Sequence, residues 1–172
     1  MSEQHCVSDL FCGIMADVMA YVAREHGDES MRRLFFEFYN HLFIFLDREH
    51  GAKAVDAYWR HLADHHLGAL EQAIREKGFA GMATFWRDVA TEEGAEFDMN
   101  LSEDAFELVT RHCPPTQWFK DKGLGVYSRY SCHCEALYRR VAERCGYDLA
   151  YQPPDDEAGT CCRLRFTRRE KQ

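Results

Sequence analysis

The sequence lacks an excess of positive charge, a long apolar run and an internal repeat. Its 172 residues carry a formal net charge of −8 without a basic stripe interleaved with aromatic residues, so nucleic acid is not expected as a partner. No apolar run approaches the about 18 residues that suggest a membrane-spanning helix. The N-terminus also lacks the basic-then-apolar layout of a signal peptide. These absences predict a cytoplasmic protein with no membrane partner.

Two common cysteine signatures are also missing. The sequence has no pair of Cys-x2–4-Cys knuckles, which typify structural zinc sites, and no iron–sulfur ligand run. It nevertheless contains eight cysteines, and six of them lie between Cys113 and Cys162. In a reducing compartment such cysteines act as thiols, metal ligands or nucleophiles more often than as disulfides. We therefore expect the chemistry of this protein to gather in that region.

Apolar residues recur at helical spacing over the first half of the chain and predict about four helices. Gly27 and Gly51 separate the first three, and the third is expected to run from Ala52 to Lys77. The second helix is rich in phenylalanine around most of its circumference. Such a helix is either central or partly covered by another subunit, and the latter interpretation predicts a homodimer through it.

After residue 93 the apolar period changes from helical to alternating, which indicates strands. A helical segment, Tyr127–Gly146, separates two strand pairs and gives the order β-hairpin, helix, β-hairpin. We predict an α+β fold in a single domain over residues 1–172, with a helical part (1–93) and a part with a small antiparallel sheet (94–172). The four expected strands are Ala95–Leu101, Phe106–Cys113, Tyr147–Gln152 and Cys161–Thr167.

The segment Tyr127–Gly146, YSRYSCHCEALYRRVAERCG, concentrates the reactive side chains. Cys132 is placed in the first turn of its helix, where free backbone N–H groups and the helix dipole favour an anion. A thiolate there is a better nucleophile or metal ligand, and His133 could serve as its base or as a second ligand. The alternative is an inert, partly exposed cysteine. Cys134 and Cys145 fall on the apolar stripe and are interpreted as core thiols.

Two strand ends carry the remaining cysteines. Cys113 ends the second strand at Pro114, and strand alternation puts Cys162 on the face opposite to Cys161. Convergence of these thiols with Cys132 would build either a catalytic centre or a transition-metal site, for example for zinc. The candidate metal ligands are Cys113, Cys132, Cys134, Cys161 and Cys162.

The segments FELVTRHCPPTQWFKDKGLG and SCHCEALY, a tyrosine-containing strand, and Cys-x-Leu-x-Phe at Cys162–Phe166 resemble the L-2-amino-thiazoline-4-carboxylic acid hydrolase family. The resemblance covers about the last third of the chain and implies that Cys113, Cys132 and Cys162 are the matching cysteines. Cys132-His133-Cys134-Glu135 stands where that family has a cysteine followed shortly by aspartate. Cys162-Arg163-Leu164 stands where Cys-Asp-Phe is expected. Lost acids and added thiols favour metal binding.

The resemblance implies a hydrolase-like enzyme that opens a C–N bond of a small cyclic amidine or carbamoyl amino acid. Cys132 would be the nucleophile and His133 the base, with Cys113 nearby, and no cofactor is required. The alternatives are a Cys/His metal enzyme and a small-molecule binding or sensor module. The last agrees with a weaker resemblance to vinyl-reductase-type (4VR) ligand-binding domains, which have helices before a small sheet and a cysteine in the final strand.

Overall fold

The computed structural model describes residues 3–155 and 161–169, with side chains from residue 13 onward. The described chain is α+β, which confirms the predicted fold class. It divides into two compact units, Met1–Tyr39 and Asn40–Gln172. The elements in chain order are α1 (Glu3–His26), α2 (Asp28–His50), α3 (Ala52–His66), α4 (Gly68–Lys77), α5 (Phe79–Glu93), β1 (Glu96–Leu101), β2 (Ala105–His112), α6 (Pro114–Lys122), α7 (Cys132–Cys145), β3 (Tyr147–Gln152) and β4 (Cys162–Arg168).

The first unit contains α1 and the first half of α2. Gly27 separates the two helices, as predicted, with a φ of +84° that side-chain-bearing residues rarely adopt. Both helices present large apolar side chains to solvent. Those more than a third exposed in this unit are Ile14, Met15, Val18, Tyr21, Leu34, Phe35 and Phe38. None of the described helices is long and apolar enough to cross a membrane.

The predicted single helix from Ala52 to Lys77 is two helices, which corrects the sequence-based expectation. Leu67 leaves the helical conformation (φ −98°, ψ 21°) just before Gly68, a residue that disfavours helix. The break re-aims α4, so that it contacts both α5 and α7. The apolar periodicity continues through the break, which is why it did not reveal the corner.

Two glycines allow α4 and α5 to pack tightly. Gly78 makes the corner between them with a φ of +57°. A Cβ atom at Gly81 would lie 2.0 Å from the carbonyl oxygen of Ala73, so only glycine fits where the two backbones meet. This close approach fixes α5 against α4, and α5 in turn covers one face of the sheet.

The sheet is antiparallel, with strand order β1-β2-β4-β3. The two predicted hairpins are therefore joined side by side through β2 and β4. Along that seam, Phe106 pairs with Phe166, Leu108 with Leu164 and Thr110 with Cys162. The buried cluster between the sheet and the helices comprises Leu70, Ile74, Phe79, Met82, Ala83, Trp86, Phe106, Leu108, Val141, Ala142, Tyr147, Leu149, Leu164 and Phe166.

Ion pairs hold α7 against α3 and α4. Asp64 accepts hydrogen bonds from Arg140 (2.9 Å) and Arg144 (2.7 Å), and Arg144 also reaches Glu71 at 3.1 Å. The hydrogen bonds from Arg140 and Arg144 lower the pKa of Asp64 to about 2. The helix that carries the central cysteines is thus fixed from outside while its inner face packs on the sheet.

Candidate functional site

One end of the sheet changes from apolar to polar along the β2–β4 seam. Opposed residues of antiparallel strands lie on the same face, so Thr110 and Cys162 continue the buried rows formed by the Phe106 and Leu108 pairs. Thr110 is 5% exposed, and its hydroxyl lies 3.2 Å from the Cys162 sulfur. Burial raises the pKa of the Cys162 thiol to about 12. The core therefore ends in a protonated thiol and a hydroxyl.

Cys113 and Cys161 flank this polar end. Cys113 is the N-cap residue of α6, directly after β2, and its sulfur accepts a hydrogen bond from the Thr116 hydroxyl at 3.3 Å. Burial raises the pKa of Cys113 to about 11, against the opposing effect of the Thr116 bond. Cys161 precedes β4 and donates its backbone N–H to the Thr110 carbonyl at 2.9 Å. Both side chains are half-buried.

The start of α7 supplies the histidine. The Nδ1 atom of His133 makes a hydrogen bond with the carbonyl oxygen of Tyr130. A carbonyl can only accept, so the proton is on Nδ1, and in the neutral ring Nε2 carries a lone pair. Burial lowers the pKa of His133, so the ring is neutral at pH 7. The ring also packs against Phe43, which is fully buried, at 6.1 Å between centroids.

The thiol of Cys134 faces that lone pair. Its sulfur lies 3.5 Å from Nε2 of His133. Burial and then the charge of Glu93, the last residue of α5, raise the pKa of Cys134 to about 12. Cys134 is therefore protonated at neutral pH, and its sulfur faces the unprotonated Nε2 of His133.

Cys132 is the first residue of α7 and is half-buried. Its backbone N–H already donates to the Arg129 carbonyl at 2.9 Å, and that of His133 donates to Tyr130 at 3.3 Å. Part of the free donor set expected at this helix start is thus occupied. The structure pairs His133 with Cys134, so Cys132, the nucleophile expected from the sequence, competes with Cys134 for that role.

Two tyrosines complete the site. Tyr138 lies one helical turn beyond Cys134, and its ring meets that of buried Trp86 edge to face at 4.7 Å. Burial raises the pKa of Tyr138 well above 10, and charges at Cys134 and Glu93 add to the shift. The Tyr151 hydroxyl donates to the Ser131 carbonyl at 3.0 Å and fixes the entrance to α7.

Cys113, Cys134 and Cys162 affect one another electrostatically, and ionisation of any of them would raise the pKa of Tyr138. The three thiols are therefore electrostatically coupled to Tyr138. Charge at Cys161 would raise the pKa of Cys113 and Cys162, and charge at Cys132 would raise that of Cys134. Within residues 13–155 and 161–169, no three His, Cys, Asp or Glu side chains form a group that could hold a metal ion.

Sequence reasoning missed the polar residues that support the cysteines. Thr110 had a usable signal, because strand alternation places it in line with Leu108. Tyr138 also had one, since it follows Cys134 by four residues on one helix face. Thr116 in α6 and Glu93 in α5 lie on other elements, and no sequence pattern indicated their contribution.

Comparison of the chain with protein-family models, with curated proteins and with solved structures found no match.

Proposed function

We propose that this protein is a hydrolase-like enzyme that cleaves a C–N bond of a small cyclic amidine or carbamoyl amino acid through a cysteine thiol. The observation that carries the proposal is the arrangement of Cys134, His133 and the Tyr130 carbonyl. Nucleophile, base and orienting group within hydrogen-bonding reach form the usual arrangement of covalent catalysis. The last third of the chain, which resembles the amino-thiazoline carboxylic acid hydrolases, contains all three groups.

In this mechanism the Cys134 proton passes to Nε2 of His133 as the sulfur bonds to the electrophilic carbon. The imidazolium then gives that proton to the departing nitrogen as the C–N bond breaks. Water, deprotonated by the same imidazole, hydrolyses the carbon–sulfur bond and restores the thiol. We assign to Tyr138, which lies one helical turn beyond Cys134 and is kept protonated by burial, the hydrogen bond to charge that develops on the substrate.

The proposal is tested by incubating the purified chain with a panel of cyclic amidines and carbamoyl amino acids. Product formation is followed by mass spectrometry, and the reaction is quenched early to trap the covalent intermediate. An adduct on the tryptic peptide that contains Cys134 is expected. An adduct confined to Cys132 would transfer the nucleophile to the residue favoured by the sequence alone. Absence of turnover across the panel together with no adduct would remove the hydrolase proposal.

The second candidate is a Cys/His metal or ligand-binding module. It is favoured by the concentration of thiols between Cys113 and Cys162, because soft metal ions such as zinc or copper(I) prefer thiolates, although no three described side chains form a ready-made metal-binding group. Metal binding would have to displace protons that burial holds on these thiols. Elemental analysis of protein purified without a metal-affinity tag tests it. Stoichiometric metal whose removal lowers the melting temperature would support this candidate, and metal-free protein with an unchanged melting temperature would contradict it.

The location and assembly of the protein belong to the same proposal. We assign it to the cytoplasm because a reducing compartment keeps such thiols free. We also propose a homodimer through the Phe-rich helix α2, on which Phe35 and Phe38 are 41% and 40% exposed. Sedimentation analysis of the wild type and Phe38→Ser tests the homodimer. A monomer at high concentration would contradict it.

A further inference from the structure

A polar side chain interrupts the apolar face of α2. Asn40 is 2% exposed, and both ends of its amide are used. Its Nδ2 donates to the Gly125 carbonyl at 2.9 Å, and its Oδ1 accepts the Tyr127 N–H at 2.8 Å. Replacing this amide by an apolar side chain is costly, because the Gly125 carbonyl and the Tyr127 N–H would each lose a hydrogen-bond partner. Asn40 therefore clamps the loop that leads into α7.

The clamp is the first link of a continuous series of hydrogen bonds. The Tyr127 carbonyl accepts the Tyr130 N–H at 2.8 Å. The Tyr130 carbonyl accepts the Nδ1–H of His133, and Nε2 of His133 faces the Cys134 sulfur. The Asn40 amide is thus joined to the proposed nucleophile through one turn of backbone and one imidazole.

A second contact from α2 holds the same tyrosine. The Tyr127 hydroxyl donates to the Asp47 carboxylate at 3.1 Å, two helical turns beyond Asn40. Tyr127 is 6% exposed, and its ring packs on Phe43 at 6.1 Å. The Asp47 contact holds the ring through its hydroxyl, whereas the Asn40 contact holds the Tyr127 backbone, whose carbonyl begins the turn to Tyr130.

We infer that Asn40 is a positioning residue, whose clamp on Tyr127 aims the Tyr130 carbonyl at Nδ1 and thereby holds His133 in the tautomer that leaves Nε2 free for Cys134. The catalytic meaning of this inference rests on the proposed function. The tautomer itself does not, because it is a property of the free protein. Which nitrogen of a histidine carries the proton is set by the partner of the other nitrogen, and the clamp fixes that partner.

Long-range ¹H–¹⁵N spectra of the histidine rings test the inference without a substrate. His133→Gln identifies the His133 signals by their loss. The wild-type ring is expected to show a protonated Nδ1 and an unprotonated Nε2. Asn40→Ala should convert it to a mixture of both tautomers, whereas Asn40→Asp, which keeps an acceptor for the Tyr127 N–H, should retain more of the original tautomer. Alkylation of Cys134 by iodoacetamide at pH 7 should slow by about tenfold in Asn40→Ala, part of the about 10²–10⁴-fold that a general base supplies.

The matched control is Ile74→Ala, a buried change in α4 that belongs to none of these hydrogen bonds. It should lower the melting temperature without altering the His133 tautomer. The inference is overturned if Asn40→Ala keeps the wild-type tautomer, or if Ile74→Ala changes it as much as Asn40→Ala does. Should Asn40→Ala not fold, Asn40→Ser and Asn40→Asp carry the same comparison. An active Cys134→Ser enzyme would end the proposed function, yet it would leave the tautomer result standing.

Discussion

Nε2 of His133 lies 3.5 Å from Sγ of Cys134, although the two residues are adjacent in sequence. Neighbouring side chains on a helix point about 100° apart, so such a contact needs the ring to bend back toward the following residue. The hydrogen bond from Nδ1 to the Tyr130 carbonyl holds the ring in this orientation. The two thiols of the Cys132-His133-Cys134 segment are therefore not equivalent, because the imidazole contacts Cys134 on its C-terminal side.

Replacement of Cys134 by serine should abolish turnover, with a loss of at least about 10²-fold, because a hydroxyl is a much weaker nucleophile than a thiol with a neutral imidazole as base. Cys132→Ser should keep most of the activity. Turnover of the best cyclic amidine is the measurement, with Cys145→Ser, on the last residue of α7, as the control for thiol loss. The reverse pattern, an inactive Cys132→Ser and an active Cys134→Ser, would refute the assignment.

The buried thiols should make the protein sensitive to alkali. Burial raises the pKa of Cys162 and Cys134 to about 12, from the ordinary value of 9.0. Above about pH 9 the unfolded chain loses protons that the folded chain keeps, so the free energy of unfolding decreases as pH rises. Each group contributes at most about 1.4 kcal/mol per pH unit. Urea unfolding from pH 8 to 11 should show this decline.

A Cys162→Ala variant tests whether the buried thiols cause the loss of stability at high pH. It should have a shallower decline above pH 9 than the wild type, because one ionising group has been removed. A cavity is also created, so its stability at pH 7 is expected to fall, and only the slope against pH is compared. An unchanged slope in this variant would show that other groups cause the alkaline loss.

The contact between α4 and α5 predicts a large effect at Gly81. A methyl group there would meet the Ala73 carbonyl oxygen at 2.0 Å, so Gly81→Ala should destabilise the protein by about 3 kcal/mol or more. Gly68→Ala is the matched control, because its Cβ would have no atom within 4 Å and alanine favours helix. Chemical denaturation measures both. Equal stability of the two variants would contradict the backbone contact.

The α+β class and the two hairpins were predictable because strand alternation and helical periodicity are properties of neighbouring residues. The face of β4 is an example: Leu164 and Phe166 are buried, as the alternation indicated, and Cys162 lies in line with them. The corner at Leu67 was not predictable in this way. A helix that breaks and resumes keeps its apolar period, and only tertiary contact decides where α4 points.

The site was predictable in its cysteines and not in their partners. Periodicity placed Cys134 on the apolar face of α7, and that face does turn inward. At this end of the sheet, however, the buried rows of β2 and β4 end in Thr110 and Cys162 and not in apolar side chains. Asn40 carried a weak signal, as an uncharged polar residue within a Phe-rich helix. Asn40 and Tyr127 are 87 residues apart in the sequence, so their hydrogen bond could not be predicted from neighbouring residues.

Acid should destabilise the protein through His133. Burial lowers its pKa from the ordinary value of 6.5, so below about pH 6.5 the unfolded chain binds a proton that the folded chain does not. The free energy of unfolding should therefore decrease as pH falls from 7 to 5, by at most about 1.4 kcal/mol per pH unit. His133→Gln should flatten this dependence. A His133→Gln variant with the wild-type slope would mean that the imidazole is not held neutral by burial, and the base assigned to Cys134 would have to be sought elsewhere.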